Sequence, residues 1–225
     1  MILLKQNGSG ILGSAESISQ LAAKESARLL TISDSHGNPS LFQQIVERYG
    51  KDCDALIFAG DGINDLITVL EHAQKDENLM ASLPPVCAFV SGNCDRDYYT
   101  CDFDPVCENE LKNGTGFPYQ LKAYSRQTLT VCHKTILISH GHLHGVDFGD
   151  DLFISEALAG KDVCVVHGHT HVARQETSNG ITFINPGSIS KPRDITEGRF
   201  AIIDIRKNMI DAAFIGVKHW STRLH

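Results

Sequence analysis

The sequence has no apolar run long enough to cross a membrane, and residues 1–4 are too short for the apolar core of a signal peptide and lack a preceding positive charge. It also lacks an excess of basic residues, since 20 Lys and Arg stand against 27 Asp and Glu, for a formal net charge of −7. This balance argues against nucleic acid as a partner bound through a broad basic surface. We therefore expect a soluble, cytoplasmic protein with no membrane partner.

Paired CxxC motifs are absent as well, although the sequence contains seven cysteines. Four of them lie within apolar runs: Cys53, Cys87, Cys132 and Cys164. We interpret these as reduced thiols in the core of a cytosolic protein. A small metal knot of Cys94, Cys101 and Cys107 is an alternative, but its spacing matches no common zinc pattern.

A chain of 225 residues with 42% hydrophobic and 21% charged residues is long enough for one large domain with a substantial core. We divide the chain into an N-terminal extension, residues 1–27, and a domain, residues 28–225. The extension combines Gly- and Ser-rich loop sequence with a short helix that a capping box at Ser17 and Gln20 would begin. A disordered leader is the alternative.

The domain contains an insertion at about residues 96–126, where the alternation of strands and helices lapses. The segment is rich in aromatic residues, including Tyr98, Tyr99 and Phe117. We interpret it as a long loop without secondary structure that forms a lid or an interface, because contiguous apolar side chains mark interaction surfaces. On this basis we expect a homo-oligomer, either a dimer or a tetramer.

Short apolar runs bounded by glycine alternate with helical periodicity in the rest of the domain. Strands are predicted at residues 28–32, 55–59, 86–90, 135–138, 163–166, 181–184, 200–205 and 209–217. The early strand–helix units indicate parallel strands, which place ligands at their carboxyl ends, and the late consecutive strands indicate a second sheet. The predicted fold is α/β, with two mixed β-sheets packed face to face and helices outside.

Polar side chains follow five of these strands: Asp34 and His36, Asp61, Asn93, His140, and His169 with His171. In an extended chain residues i and i+2 point the same way, so each closely spaced pair should face a single point. Two surface histidines in a loop would be the simpler interpretation of an isolated His-x-His. Five loops that deliver carboxylate, amide and imidazole groups to one sheet edge predict a metal site instead.

These seven donors, with one shared carboxylate, suit two metal ions about 3.5–4 Å apart, as in phosphoester hydrolysis by two metals. Mixed nitrogen and oxygen donors favour Mn, Fe, Co, Ni or Zn over Ca or Mg. The sequence therefore predicts a dinuclear centre of divalent metal ions.

The motifs Asp34-x-His36, Gly60-Asp61, Gly92-Asn93, His140-Gly141 and Gly168-His169-x-His171, in this order, resemble the signature of the calcineurin-like metallophosphoesterases. The sequences at 92–95 and 185–188 are similar to those of the small bacterial and archaeal phosphodiesterase branch. The resemblance covers about residues 29–217 and implies a four-layer αββα sandwich. It also implies two divalent metal ions, with Mn first and Fe, Ni, Co or Zn as alternatives.

The resemblance assigns the ligands by position. Asp34, His36, Asp61 and His171 would hold the first metal. Asp61, Asn93, His140 and His169 would hold the second. Asp61 would therefore bridge the two ions.

The implied activity is hydrolysis of a small phosphoester substrate, with a phosphodiester first, by a metal-bridging hydroxide. Asp61 and Asn93 would act in catalysis, and Lys191 or Arg193 would add positive charge. Cys94 stands where many larger relatives have a histidine that assists the leaving group. The general acid is therefore open among water, a metal-bound ligand and His142.

Two other functions are compatible with this fold. One is a non-catalytic protein-interaction scaffold, but no expected ligand is missing here. The other is a nuclease, which lacks an obvious DNA-binding extension in this sequence.

Overall fold

The computed structural model describes residues 5–103, 105, 119–194 and 197–217. The strands in these ranges are, in chain order, β1 (Leu12–Gly13), β2 (Ser26–Ile32), β3 (Ala55–Phe58), β4 (Val86–Phe89), β5 (Tyr98–Cys101), β6 (Tyr119–Lys122), β7 (Arg126–Val131), β8 (Lys134–Ser139), β9 (Cys164–Val166), β10 (Arg174–Ser178), β11 (Ile181–Asn185), β12 (Arg199–Arg206) and β13 (Met209–Gly216). The helices are α1 (Ala15–Ala23), α2 (Pro39–Tyr49), α3 (Ile63–Ala73), α4 (Glu77–Ser82) and α5 (Asp151–Gly160). No helix in the described ranges is long and apolar enough to cross a membrane.

The strands form two large mixed sheets. The six-stranded sheet has the order β1-β4-β3-β2-β12-β13, and β2, β3 and β4 are parallel to one another. The five-stranded sheet has the order β10-β11-β9-β8-β7, and β8, β9 and β11 are parallel. The parallel strands lie in the middle of both sheets, where each is covered on two faces, and their sequences are accordingly almost continuously apolar.

The layers of the fold follow from the two faces of these strands. In β2, Leu29 faces a buried cluster shared with β8 and β9 of the other sheet, whereas Leu30 faces a cluster shared with α2 and α3. Phe153 of α5 packs on the outer face of the five-stranded sheet, against Val165 and Phe183. The order is thus helix, sheet, sheet, helix, which confirms the predicted α/β sandwich with helices outside.

The described part of the N-terminal segment packs against both sheets. Strand β1 pairs with β4 and forms one edge of the six-stranded sheet, and Leu21 of α1 is buried among the residues between the sheets. The helix begins one turn earlier than the capping box predicts, because the Ser14 side chain accepts a hydrogen bond from the Ser17 amide at 3.0 Å. Ser17 therefore lies inside the helix, and the predicted cap was wrong.

The inserted segment was predicted to lack secondary structure, and that prediction is wrong for its described part. Strands β5 and β6 pair as a small antiparallel sheet, and β7 begins at Arg126. The side chains of Tyr99 and Phe103 are buried against the helix-side core, so their own chain covers them. Phe117 and Cys107 lie outside the described residues.

The four cysteines predicted to lie in the core are buried free thiols, as expected. Burial raises the pKa of Cys87 and of Cys164 to about 12, so both thiols stay protonated near neutral pH. Cys94 differs from these four because its side chain is exposed beside the predicted metal ligands.

Candidate metal centre

The structure brings the seven predicted ligands together at the carboxyl ends of the central strands. One group of donor atoms comes from Asp34, His36 and His171, and a second comes from Asp34, Asp61 and His140. Within each group the donor atoms lie within 4.8 Å of one another. Asn93 Oδ1 joins them at 3.2 Å from His140 Nε2 and 2.9 Å from His169 Nδ1.

The side chains converge for a different reason than the one predicted. Strand β9 ends at Val166, and His169 and His171 have φ angles of 70° and 59°, in the left-handed region rather than in extended chain. Asp34, His36 and Asp61 have φ angles of 53°, 45° and 58°. This conformation is costly for a residue with a side chain and is commonly found at functional sites. Tight turns after the strands, rather than strand alternation, aim these side chains.

Asp34 is fully buried and has one carboxylate oxygen without a hydrogen bond. Its Oδ2 accepts from the Ser33 hydroxyl at 2.6 Å and from the His169 amide at 3.2 Å. Within the described part of the chain its Oδ1 has no hydrogen-bond partner, although His171 Nε2 lies 3.1 Å away. A buried carboxylate oxygen without a donor is costly, so Oδ1 is suited to a cation.

Backbone carbonyls fix the tautomers of two histidines. His140 Nδ1 donates to the carbonyl of Ala59 at 2.7 Å, and His171 Nδ1 donates to the carbonyl of Lys191 at 2.6 Å. When neutral, as a metal ligand must be, each imidazole carries its one proton on Nδ1 and presents an Nε2 lone pair to the centre. Metal-ligating histidines are oriented by such bonds from their second nitrogen. Without a metal, burial lowers the pKa of His140, but the carboxylates of Asp61 and Asp34 outweigh burial and raise it.

The Nε2 atoms of His36 and His171 lie 3.1 Å apart. Burial lowers the pKa of His36 and outweighs the opposing effect of Asp34 and Asp61, so this imidazole is neutral at neutral pH. His171 presents a lone pair at the same point, beside the unpartnered oxygen of Asp34. Neutral imidazole nitrogens next to a buried carboxylate are a donor set that fits a divalent transition metal.

Asp61 occupies the middle of the cluster. Its Oδ1 accepts from the Cys94 amide at 2.8 Å, and its Oδ2 lies 3.8 Å from His36 Nε2 and 3.5 Å from His140 Nε2. Burial raises the pKa of Asp61, but His140 and the Cys94 amide outweigh burial and hold that pKa well below its usual range. The carboxylate is therefore ionised and lies within reach of donors from both groups.

Comparisons with known proteins agree with this geometry. The family model for the calcineurin-like phosphoesterase superfamily domain matches residues 28–208. A probable metallophosphoesterase of Bacillus subtilis, YsnB, is 30% identical over 83% of this chain and 89% of its own length. The chain belongs to the calcineurin-like phosphoesterase superfamily.

A further relative is consistent with this membership, and a solved structure shares the fold. The phosphodiesterase YfcE of Escherichia coli K12 is 27% identical over 79% of this chain and 87% of its own length. A solved structure from Streptococcus pneumoniae, described as a predicted phosphoesterase, matches with a TM-score of 0.61 at 23% identity over 86% of this chain and 91% of that chain. The protein is thus a metal-dependent phosphoesterase that uses divalent metals.

Asp95 was not among the predicted site residues of this phosphoesterase, yet its carboxylate binds amides of both the loop after β3 and the loop after β4. Its carboxylate accepts from the amides of Asp61 at 2.7 Å, Gly62 at 3.1 Å, Ile63 at 3.0 Å and Gly92 at 2.9 Å. These bonds also cap the beginning of α3. The sequence signal was present, since Asp95 follows Gly92-Asn93 closely, but only the fold shows which amides it faces.

Glycine is required at position 92 of the phosphoesterase because a Cβ there would lie 2.1 Å from Asp61 Oδ1. A Cβ at Gly168 would lie 2.0 Å from the Ser33 hydroxyl and 2.6 Å from Asp34 Oδ2. The two loops therefore approach the carboxylates more closely than any other residue type would permit.

His142, the candidate general acid, lies beside the centre rather than in it. Its ring centroid is 5.5 Å from that of His140 and 6.2 Å from that of His169, and its buried Nδ1 has no hydrogen-bond partner among the residues that the structure describes. Burial, followed by repulsion from these two imidazoles, lowers the pKa of His142. At neutral pH this imidazole is therefore neutral and is a poor proton donor.

Two residues near the centre, Lys191 and His167, have roles that differ from those suggested by the charge of the lysine and the spacing of the histidine. Lys191 contributes its backbone carbonyl to His171. The first histidine of the run, His167, is fully buried and accepts from Arg174 Nε at 3.2 Å rather than facing the other donors.

Proposed function

We propose that this phosphoesterase is a phosphodiesterase that acts on small phosphodiesters with two divalent metal ions, Mn first. The observation that carries the proposal is the unpartnered Oδ1 of the buried Asp34, which lies beside Nε2 of His171 and within reach of His36. The name of the relative YfcE supports a diester substrate, and the mixed nitrogen and oxygen donors support Mn or a neighbouring transition metal.

The ligand sets we propose are those assigned by position in the family signature, and the distances between the donor atoms support them. Asp34, His36, Asp61 and His171 would hold one ion, and Asp61, Asn93, His140 and His169 the other. Asp61 is proposed as the shared ligand because its Oδ2 lies 3.8 Å from His36 and 3.5 Å from His140.

Bound divalent ions would supply an activated water and would neutralise charge on the phosphoryl group. The side chains of this chain would orient the substrate. Asn93 has its Oδ1 toward His140 and His169. Among the described residues its Nδ2 donates only to Cys94 Sγ at 3.3 Å, a weak bond that a phosphoryl oxygen can replace. His142, with its lowered pKa, would contribute little to protonating a leaving group, which favours substrates whose leaving group departs as a stable anion.

The organisation of the chain is also a proposal. We propose residues 28–225 as the phosphoesterase domain with an insertion at about 96–126, preceded by an extension at 1–27 that packs on it through β1 and α1.

A cytoplasmic location is supported by the buried free thiols, which suit a reducing compartment. We also propose a homo-oligomer, on the ground of the aromatic-rich insertion, in which Tyr98 is exposed.

The test uses metal-depleted protein. Mn²⁺, Zn²⁺ and Mg²⁺ are added back separately, and hydrolysis is measured with an aryl phosphodiester, the matching aryl monoester, cyclic nucleotides and nucleic acid. We expect Mn²⁺ to restore cleavage of the diester above that of the monoester, with two ions bound per chain. Full activity in excess chelator, with no metal in the protein, would exclude this mechanism.

The same panel separates the other functions. Preferential cleavage of nucleic acid, with salt-dependent binding, would replace the proposal by a nuclease. Two bound Mn²⁺ ions without hydrolysis of any phosphoester would instead leave a metal-binding scaffold.

A further inference from the structure

His169 differs from His140 and His171 in the type of group that orients its ring. His140 and His171 donate from Nδ1 to backbone carbonyls, so both present Nε2 to the centre. His169 is turned the other way, with Nδ1 2.9 Å from Asn93 Oδ1 and Nε2 2.9 Å from Asp147 Oδ2. The partner of this third ring is thus a side-chain carboxylate.

The tautomer of His169 follows from these contacts. An ionised carboxylate only accepts hydrogen bonds, so the proton of a neutral His169 lies on Nε2 and is donated to Asp147. Nδ1 then carries the lone pair, in the direction of Asn93 Oδ1. Two acceptors 2.9 Å apart repel each other unless a cation lies between or beside them, so this tautomer prepares Nδ1 as a ligand.

The backbone around Asp147 is held in place, although its side chain is 47% exposed. Its neighbour Val146 is buried in the cluster beneath α5, with Phe153 and Leu137. A turn closes around Asp147, since the Phe148 amide donates to the Gly145 carbonyl at 2.8 Å. Among the described residues, His169 is the only hydrogen-bonding or ion-pair partner of the Asp147 carboxylate.

We propose that Asp147 is a positioning residue that holds His169 in the tautomer and orientation needed to bind the second metal ion, which makes the segment between β8 and α5 part of that site. The inference rests on the proposed dinuclear function. It assigns a role to a residue that no metal-ligand motif contains. Partners of this kind typically change metal affinity by about 10–100-fold when they are removed.

The first test measures the ring itself in the metal-depleted protein. Nitrogen-15 NMR of the imidazoles separates an Nε2-protonated ring from an Nδ1-protonated one, and His169→Gln assigns the signal. We expect His169 to be protonated on Nε2 in the unaltered protein and to shift toward a mixture of tautomers in Asp147→Ala. Asp147→Asn keeps an acceptor oxygen without the charge and should give an intermediate result.

The second test measures Mn²⁺ binding by calorimetry. Asp147→Ala should weaken one of the two sites by about 10–100-fold and leave the other within a few-fold of the unaltered protein. Asp151→Ala is the matched control, because it removes an exposed carboxylate at the start of α5. The Asp151→Ala variant should leave the Mn²⁺ affinity of both sites unchanged. This control separates the effect of orienting His169 from the effect of losing a negative charge nearby.

The outcomes of the two tests are distinct from those for the proposed function. An unchanged His169 tautomer together with Mn²⁺ affinities equal to those of Asp151→Ala would overturn the role of Asp147, even in an active diesterase. A protein that cleaves no diester would contradict the proposed function, and the tautomer measurement would still decide the role of Asp147.

Discussion

Asp95 Oδ2 accepts a hydrogen bond from the backbone amide of Asp61 at 2.7 Å, so the Asp95 carboxylate fixes the loop that carries the Asp61 carboxylate. Three further amides, of Gly62, Ile63 and Gly92, donate to the same side chain. The amides of two loops thus share one acceptor. This arrangement connects the turn after β3 to the turn after β4, and both turns carry proposed metal ligands.

Replacing Asp95 by Ala should therefore lower both stability and metal binding. The amides that lose their acceptor are partly buried, and loss of a buried partner costs about 1–3 kcal/mol. We expect the free energy of unfolding of the metal-depleted protein, measured in urea, to fall by about this amount. Asp97→Ala, an exposed acid two positions away, is the control and should change it little. Equal stabilities of the two variants would contradict the role of Asp95.

Replacing Asp61 by Asn should remove metal from both proposed positions together. Its ionised carboxylate lies between His36 and His140, and a neutral amide is a much weaker ligand for a divalent ion. We expect metal content and diester hydrolysis to fall in parallel, by roughly 100-fold or more in activity, since even changes to surrounding partners cost 10–100-fold. Metal analysis and kcat/KM are measured on the same sample. Loss of one ion with the other bound as tightly as before would show that Asp61 is not shared.

Much of the fold could be predicted from local sequence. Strands such as β3 and β4 are short, wholly apolar and followed closely by a glycine, and α2 begins after Asn38 with a proline in its first turn. Strand β10, by contrast, has the sequence RQETS and is largely exposed, so neither apolar alternation nor burial marks it. It exists because β11 pairs with it across a tight turn.

The site was predicted in its residues but not in its geometry. Chain order and residue type pointed to Asp34, His36 and His171, but the spacing argument assumed extended backbone, whereas all three have positive φ. Partners that arrive from distant segments leave no local signal. Asp147 reaches His169 only because Val146 is anchored under α5, and sequence spacing contains nothing about that contact.

His167 should make the stability of the metal-depleted protein depend on pH. Burial, with repulsion from Arg174, lowers the pKa of this imidazole to about 3, whereas its unfolded value is near 6.5. The unfolded chain therefore binds more protons between about pH 6.5 and pH 3. The contribution of His167 is complete above pH 6.5 and is lost as the pH falls through this window, by about 2 kcal/mol at pH 5.

His167→Phe removes this titration while keeping a ring of similar size in the apolar surroundings of Phe153. Urea unfolding at pH 7 and pH 5, with chelator throughout, should show a larger loss of stability in the unaltered protein than in the variant. The variant starts from a lower stability because Arg174 Nε loses its acceptor. If the free energy of unfolding falls by the same amount between pH 7 and pH 5 in both proteins, His167 is protonated in the folded state as easily as in the unfolded one.

Cys94 stands where many larger relatives have a histidine, so the protonation state of its thiol bears on the identity of the general acid. The side chain is exposed, and its pKa is raised, first by desolvation and then by the neighbouring Asp61. The thiol is therefore protonated at neutral pH and is a weak acid catalyst. Its sulfur lies within 4.8 Å of donor atoms of His36 and Asp61, which places a soft ligand at the edge of a harder nitrogen and oxygen site.

Replacing Cys94 by Ser should therefore leave Mn²⁺-supported cleavage of an aryl diester nearly unchanged, far from the ~10²–10⁴-fold loss that removal of a general acid causes. Affinity for Cd²⁺ should fall in the same variant, because a thiolate selects soft metals and a hydroxyl does not. Cys94→His should help alkyl diesters more than aryl diesters, since only an alkoxide leaving group needs the proton. The measurements are kcat/KM for matched aryl and alkyl diesters and Cd²⁺ binding by calorimetry. If Cys94→Ser abolishes cleavage of both diesters at unchanged Mn²⁺ content, the thiol takes part in catalysis, and the preference for acidic leaving groups needs another cause.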